Sequence, residues 1–300
     1  MLFYFFIKCV TLKARTQGGQ IMRKSFAKAP TPMLAGVVKE KTPKTAISEI
    51  LNYQQLGATG IDLHLSCLAD EYKNVESIKR IVDVSPLPIL ALNYNQSYEG
   101  TFYDADDEAK TDLLLKGIEA GAAACDIQGY TFDLPSKTAF REEFLGFGYS
   151  FIKDKPKEVV VDEKIIARQI EFIDKVHSLG AEVLLSNHVG VFMTAEQLCD
   201  FAAFLEKRNP DIIKIVANAD TEEELAEAFR AMLMLKKEIK TPVSYHCNGK
   251  FGKLTRVVNP VLGGFMCFCN RQYSHNTANA QPLITTAKAA IDNMKKVEGI

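Results

Sequence analysis

No charge of one sign dominates this chain. Its 300 residues carry 36 Lys and Arg against 37 Asp and Glu, a formal net charge of −1, with no basic arm or acidic tail. The electrostatic footprint of a nucleic-acid binder, or of a protein held on an anionic membrane, is therefore missing. A disulfide framework is missing too. Seven cysteines is an odd number at scattered spacings, and reduced thiols in a cytoplasmic protein are the expectation. Cys267-x-Cys269 sets two thiols on one strand face, with no second pair nearby to complete a metal site. The chain also has no short internal repeat, no low-complexity tract and no interdomain linker. What is there is 47% hydrophobic and 24% charged, the profile of a soluble chain with one sizeable α/β domain or two smaller ones.

At the start, the apolar run Leu2 to Ile7 is shorter than a usual signal core and follows no positive charge. Thr16-Gln17-Gly18-Gly19-Gln20-Ile21 precedes Met22, and Gln-Gly-Gly is encodable by a bacterial ribosome-binding sequence. The expectation is that residues 1–21 are translated upstream region and that the protein starts at Met22. The competing reading is a genuine flexible extension. A native-host peptide spanning Thr16 to Arg23 would overturn the expectation. Residues 1–29 are left outside the fold on this reading.

From residue 30 onward, apolar β-branched runs alternate with helical patterns. Strands are expected at Met33 to Val38, Gly60 to Ser66, Pro88 to Tyr94 and Ala122 to Gln128, then at Glu182 to His188, Ile212 to Asn218, Pro242 to Asn248 and Gly264 to Cys269. A helix follows each. Thr42-Pro43 supplies an N-cap and first-turn proline, Gly57, Gly121 and Gly180 stop helices, and Thr221 with Glu224 spells a capping box. Eight strand–helix units imply a single-domain (β/α)8 barrel with an insertion at 130–161. An open doubly wound sheet competes, but no Gly-x-Gly-x-x-Gly follows the first strand.

One lysine interrupts the apolar run Asp211-Ile212-Ile213-Lys214-Ile215-Val216-Ala217-Asn218. An interior ammonium is costly unless it is paired or loses its proton, and the neutral amine is a nucleophile that can form a Schiff base with a carbonyl. The alternative is a strand-end lysine or a buried ion pair. Glu182 to His188 ends in a histidine that could shuttle protons beside that amine.

Strand C-terminal ends face the active-site mouth of such a barrel. Asp62, His64, Tyr94, Asp126, Gln128, His188, Lys214, His246 and Asn248 fall there, with Arg256 after the seventh strand and Gln281 after the eighth. Three of the five histidines are in this set. Asp62, His64, His188 and His246 could instead gather a divalent ion that activates water, which would make the protein a metal-dependent hydrolase or lyase. Hydrogen-bonded pocket lining is the plainer reading of His64 and His246. His177 within a helix and His275 in the last loop have no assigned role.

Taken together, these segments resemble the type I 3-dehydroquinate dehydratases, Schiff-base lyases on a (β/α)8 barrel. Asp211-Ile212-Ile213-Lys214-Ile215-Val216 is similar to the family's Asp-Ile-x-Lys-Ile around its imine-forming lysine. Ser186-Asn187-His188 resembles Ser-Tyr-His, which carries the general acid/base. Gly249 to Arg256 resembles Gly-x-x-Gly-x-x-Ser-Arg, whose arginine grips a carboxylate, and Thr277-Ala278-Asn279-Ala280-Gln281 resembles the closing loop Ser-Ala-Pro-Gly-Gln. The resemblance covers about Met33 to Ile291 and all four segments keep their order.

It implies Lys214 and His188 as catalytic residues, and Arg256, Gln281, Thr277, Asp62, His64 and Tyr94 around a small keto acid. It also implies a cytoplasmic homodimer of the shikimate pathway, in aromatic amino-acid biosynthesis, that needs no metal or organic cofactor. A non-catalytic ligand-binding homologue is the remaining alternative. Two segments depart from the family. Asp62-Leu63-His64-Leu65-Ser66 stands for Glu-x-Arg-x-Asp, and Leu92-Asn93-Tyr94 for Thr-Phe-Arg. Two substrate-binding guanidiniums are thus absent, which bears on the substrate more than on the reaction. The glutamate that orients the histidine is expected near Glu99. The loop Tyr130 to Val161, with Phe140, Phe144, Phe147, Tyr149 and Phe151, is longer than in the family. It either covers the pocket or packs as a surface insertion or oligomer contact.

Overall fold

A computed structural model describes residues 23–94, 106–274 and 277–298. The expected start at Met22, Glu99 and His275 lie outside the described residues. The chain runs β1 (Met33–Val38), α1 (Pro43–Gln55), β2 (Gly60–His64), α2 (Val75–Val82), β3 (Ile89–Leu92), α3 (Asp107–Glu119), β4 (Ala124–Gln128) and α4 (Glu163–Ser178). It continues with β5 (Glu182–His188), α5 (Ala195–Glu206), β6 (Ile212–Asn218), α6 (Glu222–Glu238), β7 (Val243–Asn248), α7 (Thr255–Leu262), β8 (Met266–Cys269) and α8 (Ile284–Glu298).

All ladders are parallel, and β1 lies between β2 and β8. The seam between β7 and β8 is stitched by the Phe265 N–H to Val243 carbonyl bond, 2.8 Å. The architecture is the expected (β/α)8 barrel. Among the described residues no helix is long and apolar enough to cross a membrane.

Period two along the strands separates two cores. One parity points outward, where Leu63, Ile127, Leu185, Ile213 and Ile215 pack under the helices. The other parity fills the barrel: Met33, Ala35, Leu90, Ala124, Leu184, Ile212 and Met266 make an apolar plug at the N-terminal end. Phe26 seals its floor with no exposed surface, 6.3 Å from Phe265. The Glu182 carboxylate accepts from the Phe26 and Ala27 N–H groups at 2.7 and 2.8 Å. The segment 23–29, placed outside the barrel by the sequence reading, is thus part of its base.

Several local expectations shift. Strands 2 and 3 end at His64 and Leu92, because pairing stops where the chain leaves the barrel wall; Leu65–Cys67 winds into a 3-10 turn. Thr42 caps α1 through the Thr45 N–H, with Pro43 in the first turn. The Thr221 box forms only by half. The Thr221 hydroxyl accepts the Glu224 N–H, but the Glu224 carboxylate takes the Asp220 N–H at 2.6 Å instead of that of Thr221. Thr194 and Gln197 at the start of α5 make the full reciprocal box. In the 130–161 insertion, Phe151 packs on Phe201 and Phe204 of α5, with centroids 5.0 and 5.2 Å away. Phe151 thus serves packing, and none of the loop's aromatics lines the cavity at the barrel mouth.

Candidate active site

Two residues up from the apolar plug, the inward columns of β4, β5 and β6 turn polar at Asp126, Ser186 and Lys214. Register puts Ser186 beside Lys214 and Lys214 beside Ser244, with Asp126 beside Leu92. A cavity of about 200 Å³ opens above this layer. Its walls bring together Asp62, His64, Tyr94, His188, Lys214, Arg256 and Gln281 from the sequence reading, together with His246 and Asn248.

Lys214 is 6% exposed. Its Nζ donates to the Tyr94 hydroxyl at 2.9 Å and lies 3.8 Å from Asp126 Oδ2. Phe268 presents its ring 4.6 Å from Nζ. Tyr94 in turn donates to Asp126 Oδ2 at 3.0 Å, and Ser186 Oγ donates to Asp126 Oδ1 at 2.6 Å. Burial pushes the Asp126 carboxyl up to about 7, with Lys214 and the Ser186 hydrogen bond pulling the other way. Burial and the Asp126 charge raise the Tyr94 phenol, which stays protonated.

His188 sits at the end of β5 with its ring 29% exposed and its edge toward Tyr94, centroids 5.5 Å apart. Glu158 Oε2 accepts both the His188 backbone N–H at 2.7 Å and Nδ1 at 3.0 Å. A carboxylate only accepts, so Nδ1 carries the hydrogen and the Nε2 lone pair is left for a substrate proton. Burial lowers the imidazole pKa, the Glu158 charge opposing it, so the ring is neutral at pH 7.

The sequence reading looked for this carboxylate near Glu99, which lies outside the described residues, and did not name Glu158, which the insertion delivers. Glu158 holds φ +57, a left-handed conformation unusual for a non-glycine residue. The Glu158 N–H donates to Ser136 O at 2.6 Å, and its carbonyl accepts from Asn187 Nδ2 at 2.5 Å. Gly129 makes room for this crossing: a Cβ there would collide with both Asn187 and the Glu158 carbonyl. Nothing in local periodicity signals a residue fixed by such distant partners.

Across the mouth, Arg256 on α7 is held by Asn248 Oδ1 at 2.6 Å, and its Nε has no partner among the described residues. Burial lowers its pKa to about 10, so it remains a cation at pH 7. Among the described residues, Gln281 Oε1 and Asp62 Oδ1 are also buried without partners. Unpaired buried polar atoms around one cavity suit a polar ligand that completes them.

Asp62 Oδ2 lies 3.3 Å from His64 Nε2, and burial lowers the pKa of His64 and, more strongly, that of His246. Thr277 is the exception in the expected set. Its hydroxyl donates to Ser274 O and accepts the Ser274 N–H, both at 2.9 Å, and it lines a neighbouring hollow with Tyr53 and Arg271. The local turn consumes the group that the resemblance assigned to substrate.

Lys39, one step past β1, also lines the cavity and was missed; inward parity with Val37 is the signal that would have found it. His177 Nε2 meets Asp211 Oδ2 at 2.8 Å, a link between α4 and the start of β6 away from the mouth. Among the described residues no three His, Cys, Asp or Glu side chains are grouped as metal ligands. Asp62 pairs with His64, whereas His188 pairs with Glu158.

The type I 3-dehydroquinase family model matches residues 35–298. The chain is 25% identical over 260 residues to the chloroplastic bifunctional 3-dehydroquinate dehydratase/shikimate dehydrogenase of Arabidopsis thaliana, covering 86% of this chain but 36% of that protein. It is 22% identical over 229 residues to the 3-dehydroquinate dehydratase of Desulfotalea psychrophila, covering 76% of this chain and 84% of that one. Among solved structures, 3-dehydroquinate dehydratase from Geobacillus kaustophilus superposes with a TM-score of 0.67 at 14% identity, covering 90% and 97% of the two chains. That likeness is one of fold.

Proposed function

The chain belongs to the type I 3-dehydroquinase family, and on that premise we propose that it is a hydro-lyase working through an imine on Lys214. Its substrate is a β-hydroxy cyclic keto acid; 3-dehydroquinate is the member of that class that the family name supplies. The observation that carries this reading is the shared cavity: a buried lysine amine, a neutral histidine and the Arg256 guanidinium line one space of about 200 Å³.

The steps follow from charge. Arg256 pairs with the substrate carboxylate and turns the ketone toward Nζ. Attack by the deprotonated amine and loss of water give an iminium, an electron sink that acidifies the adjacent C–H. His188 Nε2 removes that proton, then returns it to the departing β-hydroxyl as water leaves. Hydrolysis of the conjugated imine frees Lys214. Glu158 holds the ring in the required tautomer and stabilises the imidazolium formed midway. Asp62, His64 and Tyr94 stand in the strand-end segments where the family carries guanidiniums, so ring hydroxyls meet a carboxylate, an imidazole and a phenol here. A cytoplasmic homodimer completes the proposal, and light scattering at assay concentration tests the dimer.

The decisive experiment is borohydride reduction in the presence of 3-dehydroquinate and related cyclic keto acids, followed by peptide mapping. A reduced adduct on Lys214, absent in Lys214→Met, is expected. Full turnover by Lys214→Arg, which keeps charge without a nucleophilic amine, would contradict the mechanism.

A further inference from the structure

We propose that Tyr94 is a catalytic proton carrier, moving a proton from Lys214 to Asp126 before imine formation and back again as water leaves. This rests on the Schiff-base reading above. The geometry is a continuous line: Nζ donates to the Tyr94 oxygen at 2.9 Å, and the Tyr94 hydroxyl donates onward to Asp126 Oδ2 at 3.0 Å. The phenol is thus acceptor from the amine and donor to the acid at the same oxygen, which is the requirement for a concerted transfer.

The proton inventory closes. Lys214 begins as an ammonium; one proton passes from Nζ to the Tyr94 oxygen while the Tyr94 proton passes to Asp126. The site then holds a neutral amine, an intact phenol and a neutral carboxylic acid. Nζ donates its electron pair to the carbonyl carbon, and the carbonyl oxygen becomes the carbinolamine hydroxyl by taking up a proton from Nζ. The C–O bond breaks when the proton stored on Asp126 returns through Tyr94 to that hydroxyl. Water departs, the nitrogen pair forms the C=N bond, and Asp126 is ionised again. Ammonium plus ketone has become iminium plus water with no proton gained or lost by the site.

Each partner is set up for that part. Asp126 is 1% exposed and touches no bulk water that could supply the proton instead. Ser186 holds its second oxygen at 2.6 Å, which fixes Oδ2 toward the phenol. The elevation of Asp126 to about 7 makes it able both to take and to release a proton near neutral pH. Tyr94 never needs to become a phenolate, in keeping with its raised pKa.

Other charged and titratable groups face this line. Asp62 and His64 face it from β2, Glu158 from the insertion and His188 from β5, with the His64 and His188 rings 6.2 and 5.5 Å from Tyr94. The direct hydrogen-bond route from Nζ to Asp126 runs through the phenol, because Nζ and Oδ2 are themselves 3.8 Å apart.

The test is rapid-quench borohydride trapping on the full chain with 3-dehydroquinate as probe, across pH. In Tyr94→Phe, adduct formation at Lys214 is expected to slow about 100-fold at pH 7. The deficit narrows at alkaline pH, where hydroxide takes the amine proton directly, but it does not vanish, because hydroxide cannot supply the proton that water loss from the carbinolamine requires. Asp126→Asn, with far-UV circular dichroism confirming the fold, shows the same deficit and the same partial recovery. Wild-type trapping rates in either folded variant at pH 7, or a deficit equal at every pH, overturn the proton-carrier role. Absence of any Lys214 adduct in the wild-type protein refutes the Schiff-base reading itself, and this role falls with it.

Discussion

Replacing Glu158 with glutamine tests whether the insertion belongs to the catalytic machinery. The change keeps size and one acceptor oxygen but removes the charge facing His188. In the native site that carboxylate accepts the backbone N–H at 2.7 Å and Nδ1 at 3.0 Å. Hydrogen bonds to a charged partner contribute about 1.5–3 kcal/mol, neutral ones about 0.5–1.5 kcal/mol. The imidazolium formed midway through proton transfer therefore loses about 1–1.5 kcal/mol of stabilisation, which corresponds to a roughly ten-fold fall in kcat.

The direction with pH follows from the same contact. Burial lowers the His188 pKa and the Glu158 charge raises it, so removing the charge lowers it further. The acidic limb of the kcat profile therefore moves to lower pH while the plateau drops. Steady-state rates between pH 5 and 9 on folded Glu158→Gln read both effects. A plateau within two-fold of wild type, or a limb that moves upward, would show that Glu158 does not position the histidine.

Arg256→Lys loses the planar fork and is expected to raise KM about 10- to 100-fold with a smaller change in kcat, read by initial rates. Gly129→Ala drives a methyl into Asn187 and the Glu158 carbonyl; it should cost about 1–3 kcal/mol in denaturant unfolding and reduce kcat together with Glu158→Gln. For His246 the sign is set by a folded pKa well below 6.5, caused first by burial and then by Arg256 and Lys214. As pH falls below 6.5 the unfolded chain takes a proton that the folded chain refuses, so stability falls. His246→Gln should flatten this loss by up to about 1.4 kcal/mol per pH unit between pH 6.5 and 5, measured by urea unfolding. An unchanged slope would place the acid sensitivity elsewhere.

Much of this site was legible because it is written in strand periodicity. Once Ile212 and Val216 are buried, period two fixes Lys214 on the same face; His188, Asp62 and His64 follow on their own strands by the same count, and Tyr94 continues it two residues past the end of β3. Arg256 and Gln281 came from loop motifs that keep their spacing. Thr277 fell out of the set because a hydroxyl in a tight turn is claimed by its neighbour's backbone, a competition that a motif does not display. The aromatic-rich loop drew attention to the wrong residues: Tyr149 and Phe151 pack on α5, Phe144 and Phe147 stack on each other, and the loop's group facing His188 is the Glu158 carboxylate.

By itself the sequence determined the barrel, its inward columns and the lysine among them, since these depend on alternation and on interactions within each βα unit. Tertiary structure alone decided which carboxylate faces His188 and which groups touch the amine. Glu158 lies 30 residues from His188 and Tyr94 lies 120 from Lys214. Contacts of that separation are set by where closed strands meet around the barrel, and no local pattern carries that information.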